Sequence, residues 1–182
     1  MTVAEIWQLT SGSPTATATA LSMPSGMTSS QANTIAISGS DVYVAGTVSN
    51  STGGGNAVLW VNGAVTLLPI PSGLTGDYIA DGIAVLGSNV YVAGTTIPDV
   101  GTDTAIYWAN NGAATTLSIP PNDSAGNYDT GGITVSGSDV YAVGFVGNSN
   151  AAYWVNGGQA TLLPMPSGTY MSRASAIAAA TQ

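Results

Sequence analysis

Three stretches decide the fold: IAISGSDVYVAG at residues 35–46, IAVLGSNVYVAG at 83–94 and ITVSGSDVYAVG at 133–144. From Ile35 to Ile83 is 48 residues, and from Ile83 to Ile133 is 50. A second block follows each: AVLWVNGAVTLLPIPSG at 57–73, AIYWANNGAATTLSIPP at 105–121 and AAYWVNGGQATLLPMPSG at 151–168. The chain carries three copies of one unit, and self-similarity at such a period marks a repeat architecture.

Each unit reads as four short strands. In the first copy, strand one is Thr34–Ser38, turned by Gly39-Ser40-Asp41 into strand two, Val42–Gly46. Runs rich in Val, Ile and Tyr with Gly at their ends are hairpin signatures. A polar loop, Asn50–Asn56, leads to strand three, Ala57–Val61. Asn62-Gly63 then predicts a type I′ turn into strand four, Val65–Pro69, because both turn positions need positive φ. Asn156-Gly157 repeats the pair, and Asn111-Gly112 nearly does. A period of about 40–50 residues with four strands per unit is that of a β-propeller blade.

The ends carry partial copies. Residues 4–26 match strands three and four, with Trp7 in register with Trp60 and Met23-Pro24-Ser25-Gly26 with Met165-Pro166-Ser167-Gly168. Residues 172–182 match strand one, with Ile177 in register with Ile35, Ile83 and Ile133. The expectation is one all-β domain over 1–182: a partial blade 1–26, blades 31–73, 79–121 and 129–168, and a closing strand 172–182. The closing blade is then shared between the two termini and lacks its strand two. Exposed strand edges invite pairing, so the terminal strands are the expected site of self-association, in a ring or a filament, unless the chain is a segment of a longer propeller.

The pattern G-x-x-VYVAG … A-x-YW-x-NG resembles bacterial secreted or surface-anchored propeller repeats. More distantly it is similar to kelch-type blades, from which it departs by a single Gly after strand two (Gly46, Gly94, Gly144) and by a Trp on strand three. The resemblance implies a fold; propellers serve as binders, scaffolds and enzymes alike, so it implies no activity.

Composition narrows the function classes. Charged residues make up 5% of the 182, against roughly 25% in a typical soluble domain. There are nine acids and a single base, Arg173, with a formal net charge of −8 and no Lys, His or Cys. That composition excludes a Ser-His-Asp triad, a thiolate nucleophile, a Schiff base, a disulfide and the usual zinc or haem site. No cofactor and no metal are expected. One arginine cannot neutralise a row of phosphates, so nucleic acid and anionic membrane are poor partners. No apolar run reaches the roughly 18 residues of a membrane helix, and Met1 is not followed by a basic, signal-like segment. A surface of Ser, Thr, Asn and Gly suits the cell surface or extracellular space.

Candidate residues fall into four groups. The Trp series (Trp7, Trp60, Trp108, Trp154) and the Tyr series (Tyr43, Tyr91, Tyr141) recur in every copy, which favours packing between blades over a ring of sugar-stacking platforms. Asp41, Asn89 and Asp139 sit in the turn after strand one, where Asx side chains bond their own backbone; acids on separate blades do not converge on a calcium ion. The loops entering strand one hold Asp77, Tyr78, Asp81, Asn127, Tyr128, Asp129 and Tyr170, residue types that contact sugars. They are the candidate glycan-binding set. Paired acids there (Asp77 with Asp81, Asp123 with Asp129) would suit a glycosidase only at a fixed separation with one raised pKa, and neither is legible. Asn50-Ser51-Thr52 and Asn122-Asp123-Ser124 are N-glycosylation sequons, and Arg173 is expected to pair with a carboxylate near the closure. The leading expectation is a non-catalytic, self-assembling extracellular scaffold. The alternative is a lectin-like propeller whose repeated weak sites give avidity.

Overall fold

Hairpin chemistry and a bulge repeat three times in the computed structural model, which describes residues 2–9, 11–12, 15–120, 126–147 and 150–179. Strand β1 (Glu5–Leu9) pairs with β2 (Ala16–Ala20) in a two-stranded antiparallel sheet. Three four-stranded sheets follow in chain order. The first is β3 (Ser29–Ser38), β4 (Asp41–Ser49), β5 (Gly55–Val61) and β6 (Ala64–Leu67). The second is β7 (Asp77–Leu86), β8 (Asn89–Ile97), β9 (Thr104–Ala109) and β10 (Thr115–Thr116). The third is β11 (Asp129–Ser136), β12 (Asp139–Val146), β13 (Asn150–Val155) and β14 (Thr161–Leu162). Neighbours in sequence are neighbours in each sheet, all antiparallel. The architecture is all-β, and no helix among the described residues is long and apolar enough to cross a membrane.

The turns explain the meander. Gly39, Gly87 and Gly137 open the first turn of each sheet with φ of 62°, 60° and 60°. The turn between strands three and four takes two positive-φ residues: Asn62 (51°) with Gly63 (85°), and Asn156 (53°) with Gly157 (72°). In the second sheet the pair is Asn110 (53°) with Asn111 (57°), one residue earlier than the Asn111-Gly112 reading. Asn tolerates the left-handed region because its side chain bonds locally, and the Asn-Asn dipeptide had masked the register.

Strand one is longer than its apolar run. β3 starts at Ser29 and β7 at Asp77, and both extend through a register shift at Asn33 and Asp81; Gly131 marks the same shift in β11. Strand two passes very close to this bulge. A Cβ on Gly46, Gly94 or Gly144 would collide with the carbonyl oxygen of Gln31, Ile79 or Asp129. That collision explains the invariable Gly ending the VYVAG motif within this chain.

The core lies between sheets. Val44, Ala45 and Gly46 are buried consecutively, not alternately, because both faces of strand two are covered. One cluster joins Ala45, Leu59 and Leu68 of the first sheet's unit to Tyr78, Ile106 and Trp108 of the second. Another joins Leu117 to Tyr128, Val146 and Trp154. A third joins Ala4 and Leu21 of the N-terminal unit to Val44, Val58 and Trp60. Strand β7 packs against both β3 and β11. Thr34, Gly82, Gly132 and Ala176, the same position of four repeats, line one cavity of about 180 Å³.

The expected closing strand takes a different form. Residues 172–179 lie outside every strand, and 180–182 lie outside the described residues. The segment nevertheless runs along the third sheet: the Ala151 N–H donates to Ser172 Oγ (2.9 Å) and the Ala174 N–H to the Gly144 carbonyl (3.3 Å). A regular ladder needs a strand two to pair with, and this segment has none.

Candidate functional site

The bulges in strand one gather the polar side chains at one end of the sheets. Asn33 and Asp81 occupy the bulge of β3 and β7, and Asn33 Nδ2 donates to the Ala80 carbonyl at 2.9 Å. Gln31, Asn33, Asp77 and Asp81 line a cavity of about 380 Å³, with Thr47 and Ile97 on its wall. Asp77 is tied down, its Oδ1 accepting the Gly55 N–H at 2.7 Å.

Beside this cavity lies an acid network around the chain's single cation. Arg173 forms an ion pair with Asp129 and stacks over the Phe145 ring, 5.1 Å from its centroid. Thr95 Oγ1 donates to Asp129 Oδ1 at 2.8 Å and accepts the Thr130 N–H at 3.2 Å. Asp81 is left without a full counter-charge. Burial, helped by the negative charge of Asp129, pushes its carboxyl up to about 6, against the pull of Arg173 and a long Thr95 hydrogen bond. Burial and Asp129 also raise Asp103. Among the described residues no group of three His, Cys, Asp or Glu could hold a metal ion.

The candidate glycan residues do not form one surface. Asp77, Asp81 and Asp129 lie on strands, not in loops, since strand one begins earlier than its apolar run. Tyr78 and Tyr128 are each only 3% exposed and fill the space between successive sheets, so neither ring offers a stacking platform. The Tyr78 hydroxyl is buried with no hydrogen-bond partner in the structure. Asn127 Oδ1 accepts the Asp103 N–H at 3.5 Å, while Tyr170 is 92% exposed. The acid that acts on Asp81 is Asp129, not Asp77; Asp123 and the sequon at Asn122 lie outside the described residues. Asn50 stands in the loop between β4 and β5, where its Oδ1 accepts from the Thr52 N–H and hydroxyl and from the Gly54 N–H.

The repeated aromatic and Asx residues are structural. Tyr43, Tyr91 and Tyr141 are half-buried, and Tyr43 and Tyr91 pack against inter-sheet clusters. Asp41, Asn89 and Asp139 each accept from the Nδ2 of a partner across the hairpins, Asn62, Asn110 and Asn156, at 2.9, 2.9 and 2.8 Å. The same three asparagines accept the N–H of Val42, Val90 and Val140, each at 2.9 Å. The Asx series therefore locks two turns of one sheet together instead of capping its own turn. This cross-turn pair was the signal missed in sequence, although Asx and Asn recur together in all three copies.

The Trp series forms the joints between units. Trp60 Nε1 donates to the Ser22 carbonyl (2.7 Å), Trp108 Nε1 to that of Pro69 (2.9 Å) and Trp154 Nε1 to that of Ser118 (2.9 Å). Each acceptor follows a buried leucine of the preceding unit: Leu21, Leu68 or Leu117. Trp7 departs from the series and is 64% exposed. No protein-family model matches the chain, and no curated protein matches it.

Proposed function

We propose that the chain is a non-catalytic, self-assembling structural protein of the cell surface or extracellular space, built as a β-propeller of four units. The fourth unit is made of the β1–β2 sheet and residues 172–179, from one chain or from two neighbouring chains. Three observations support the ring: identical strand order in three sheets, inter-sheet cores that link successive units, and four equivalent strand-one positions around one cavity.

The observation that carries self-assembly is the edge of the two-stranded sheet. In the other sheets strand three is paired on both sides, as β5 is by β4 and β6; β1 is paired only by β2. The open edge itself carries a single charge, Glu5, so little at the contact keeps a neighbouring strand away.

The polar cavity of about 380 Å³ favours a second reading, a lectin-like binder whose contacts are Gln31, Asn33, Asp77 and Asp81, with no tyrosine platform. Negative-stain electron microscopy of the native protein, followed by a glycan array on the same sample, separates the two. Rings or filaments with no glycan signal are expected. Isolated particles that bind glycans would overturn the scaffold reading.

A further inference from the structure

The Trp joint is made of two halves, and the chain displays an unpartnered copy of each. The donor half is an indole on strand three. The acceptor half is a leucine followed by a free carbonyl in the next loop. Trp60, Trp108 and Trp154 are almost wholly buried against Leu21-Ser22, Leu68-Pro69 and Leu117-Ser118 of the unit before them. Trp7 is the donor half of the first unit, and it is 64% exposed. Leu163-Pro164 is the acceptor half of the last complete unit, and Leu163 is 37% exposed where its counterparts are buried.

The acceptor half is already in its working conformation. The N–H of Leu21, Leu68 and Leu117 donates to the carbonyl of Ala4, Ala57 and Ala105, at 2.8, 2.9 and 2.9 Å. Leu163 makes the same bond to Ala151 at 2.8 Å. The loop that leaves the third unit therefore holds the geometry that receives a tryptophan elsewhere in the molecule.

In a ring closed by one chain the unit of Trp7 follows that of Leu163 and these two halves would meet within the chain, yet both stand exposed. We infer that Trp7 of one copy docks instead on Leu163 and the Pro164 carbonyl of a second copy, continuing between chains the joint that links units within one. This rests on the self-assembly reading above and supplies its contact. Residues 150–168 carry no charge and residues 2–9 carry only Glu5, so no like charges oppose the approach. The contact is heterologous, head to tail, and each added copy exposes a fresh pair of halves. It propagates into a filament unless the rotation per copy closes a ring.

The test uses two full-length variants, Trp7→Ala and Leu163→Asp, each with one half removed, and circular dichroism establishes that both fold. Trp7→Phe and Leu163→Gln serve as milder replacements. Light scattering should give each variant alone the 18.0 kDa chain mass, and an equimolar mixture twice that mass and no more, because only one joint can form. Exposed Trp7 should also make the emission of the parent protein shift to the blue as concentration rises. If both variants assemble as the parent does, self-assembly stands and this contact is wrong. If the parent itself stays at 18.0 kDa at every concentration, the self-assembly reading fails and the contact with it.

Discussion

Trp108 of β9 donates its indole N–H to the carbonyl of Pro69, 2.9 Å away in the loop that leaves the preceding sheet. Its ring is buried with Leu59, Leu68 and Tyr78, so one residue supplies both the apolar contact and the polar latch between two units. Removing it should open a large cavity and orphan the carbonyl. Trp108→Ala is expected to cost about 3–5 kcal/mol in denaturant unfolding, whereas the exposed Trp7→Ala should stay within about 0.5 kcal/mol for the monomer.

The cross-turn Asn pairs predict a sharp asymmetry. Asn156 holds φ of 53° and bonds both Val140 N–H and Asp139. Asn156→Ala loses both bonds and places an alanine in the left-handed region, a loss of about 2 kcal/mol in stability. Asp139→Asn should fall within about 0.5 kcal/mol, because Asn89 already fills that slot in the second sheet. Thermal melts of the two variants check the contrast.

Asp81 should make stability fall with rising pH. Its folded pKa, about 6, lies above the ordinary 3.8, so the folded state binds the extra proton between those values. The stabilisation is complete below about pH 3.8 and is lost as pH rises through 6. Asp81→Asn should flatten that part of the stability profile and raise neutral-pH stability by about 1–3 kcal/mol. A profile unchanged by the substitution would place the proton elsewhere.

Tyr78 carries a buried hydroxyl without a partner in the structure. Tyr78→Phe should therefore be neutral or stabilising by up to about 1 kcal/mol, while Tyr78→Ala should cost about 3–5 kcal/mol. A large loss from Tyr78→Phe would reveal a hydrogen bond to that hydroxyl.

The repeat made the sheets legible, because hairpin turns and β-rich runs are local properties. Strand order, the Asn62-Gly63 turn and the buried Trp60, Trp108 and Trp154 all follow from them. What lay beyond local reading depended on neighbours. Trp7 stands in the same motif as Trp60, yet it is 64% exposed where Trp60 is wholly buried. Tyr78 and Tyr128 stand among Gly, Asp and Asn and read as loop residues; the bulged extension of strand one carries Tyr78 into the inter-sheet core, and Tyr128 is buried there one residue ahead of β11. Asp81 became the perturbed acid chiefly through burial, with Asp129 of β11 adding to the rise and Arg173 opposing it.

The central claim, that the joint between units continues from chain to chain, is tested most directly by molar mass across a dilution series of the native protein. Mass should rise with concentration in steps of the 18.0 kDa chain. A single 18.0 kDa species at every concentration would contradict it.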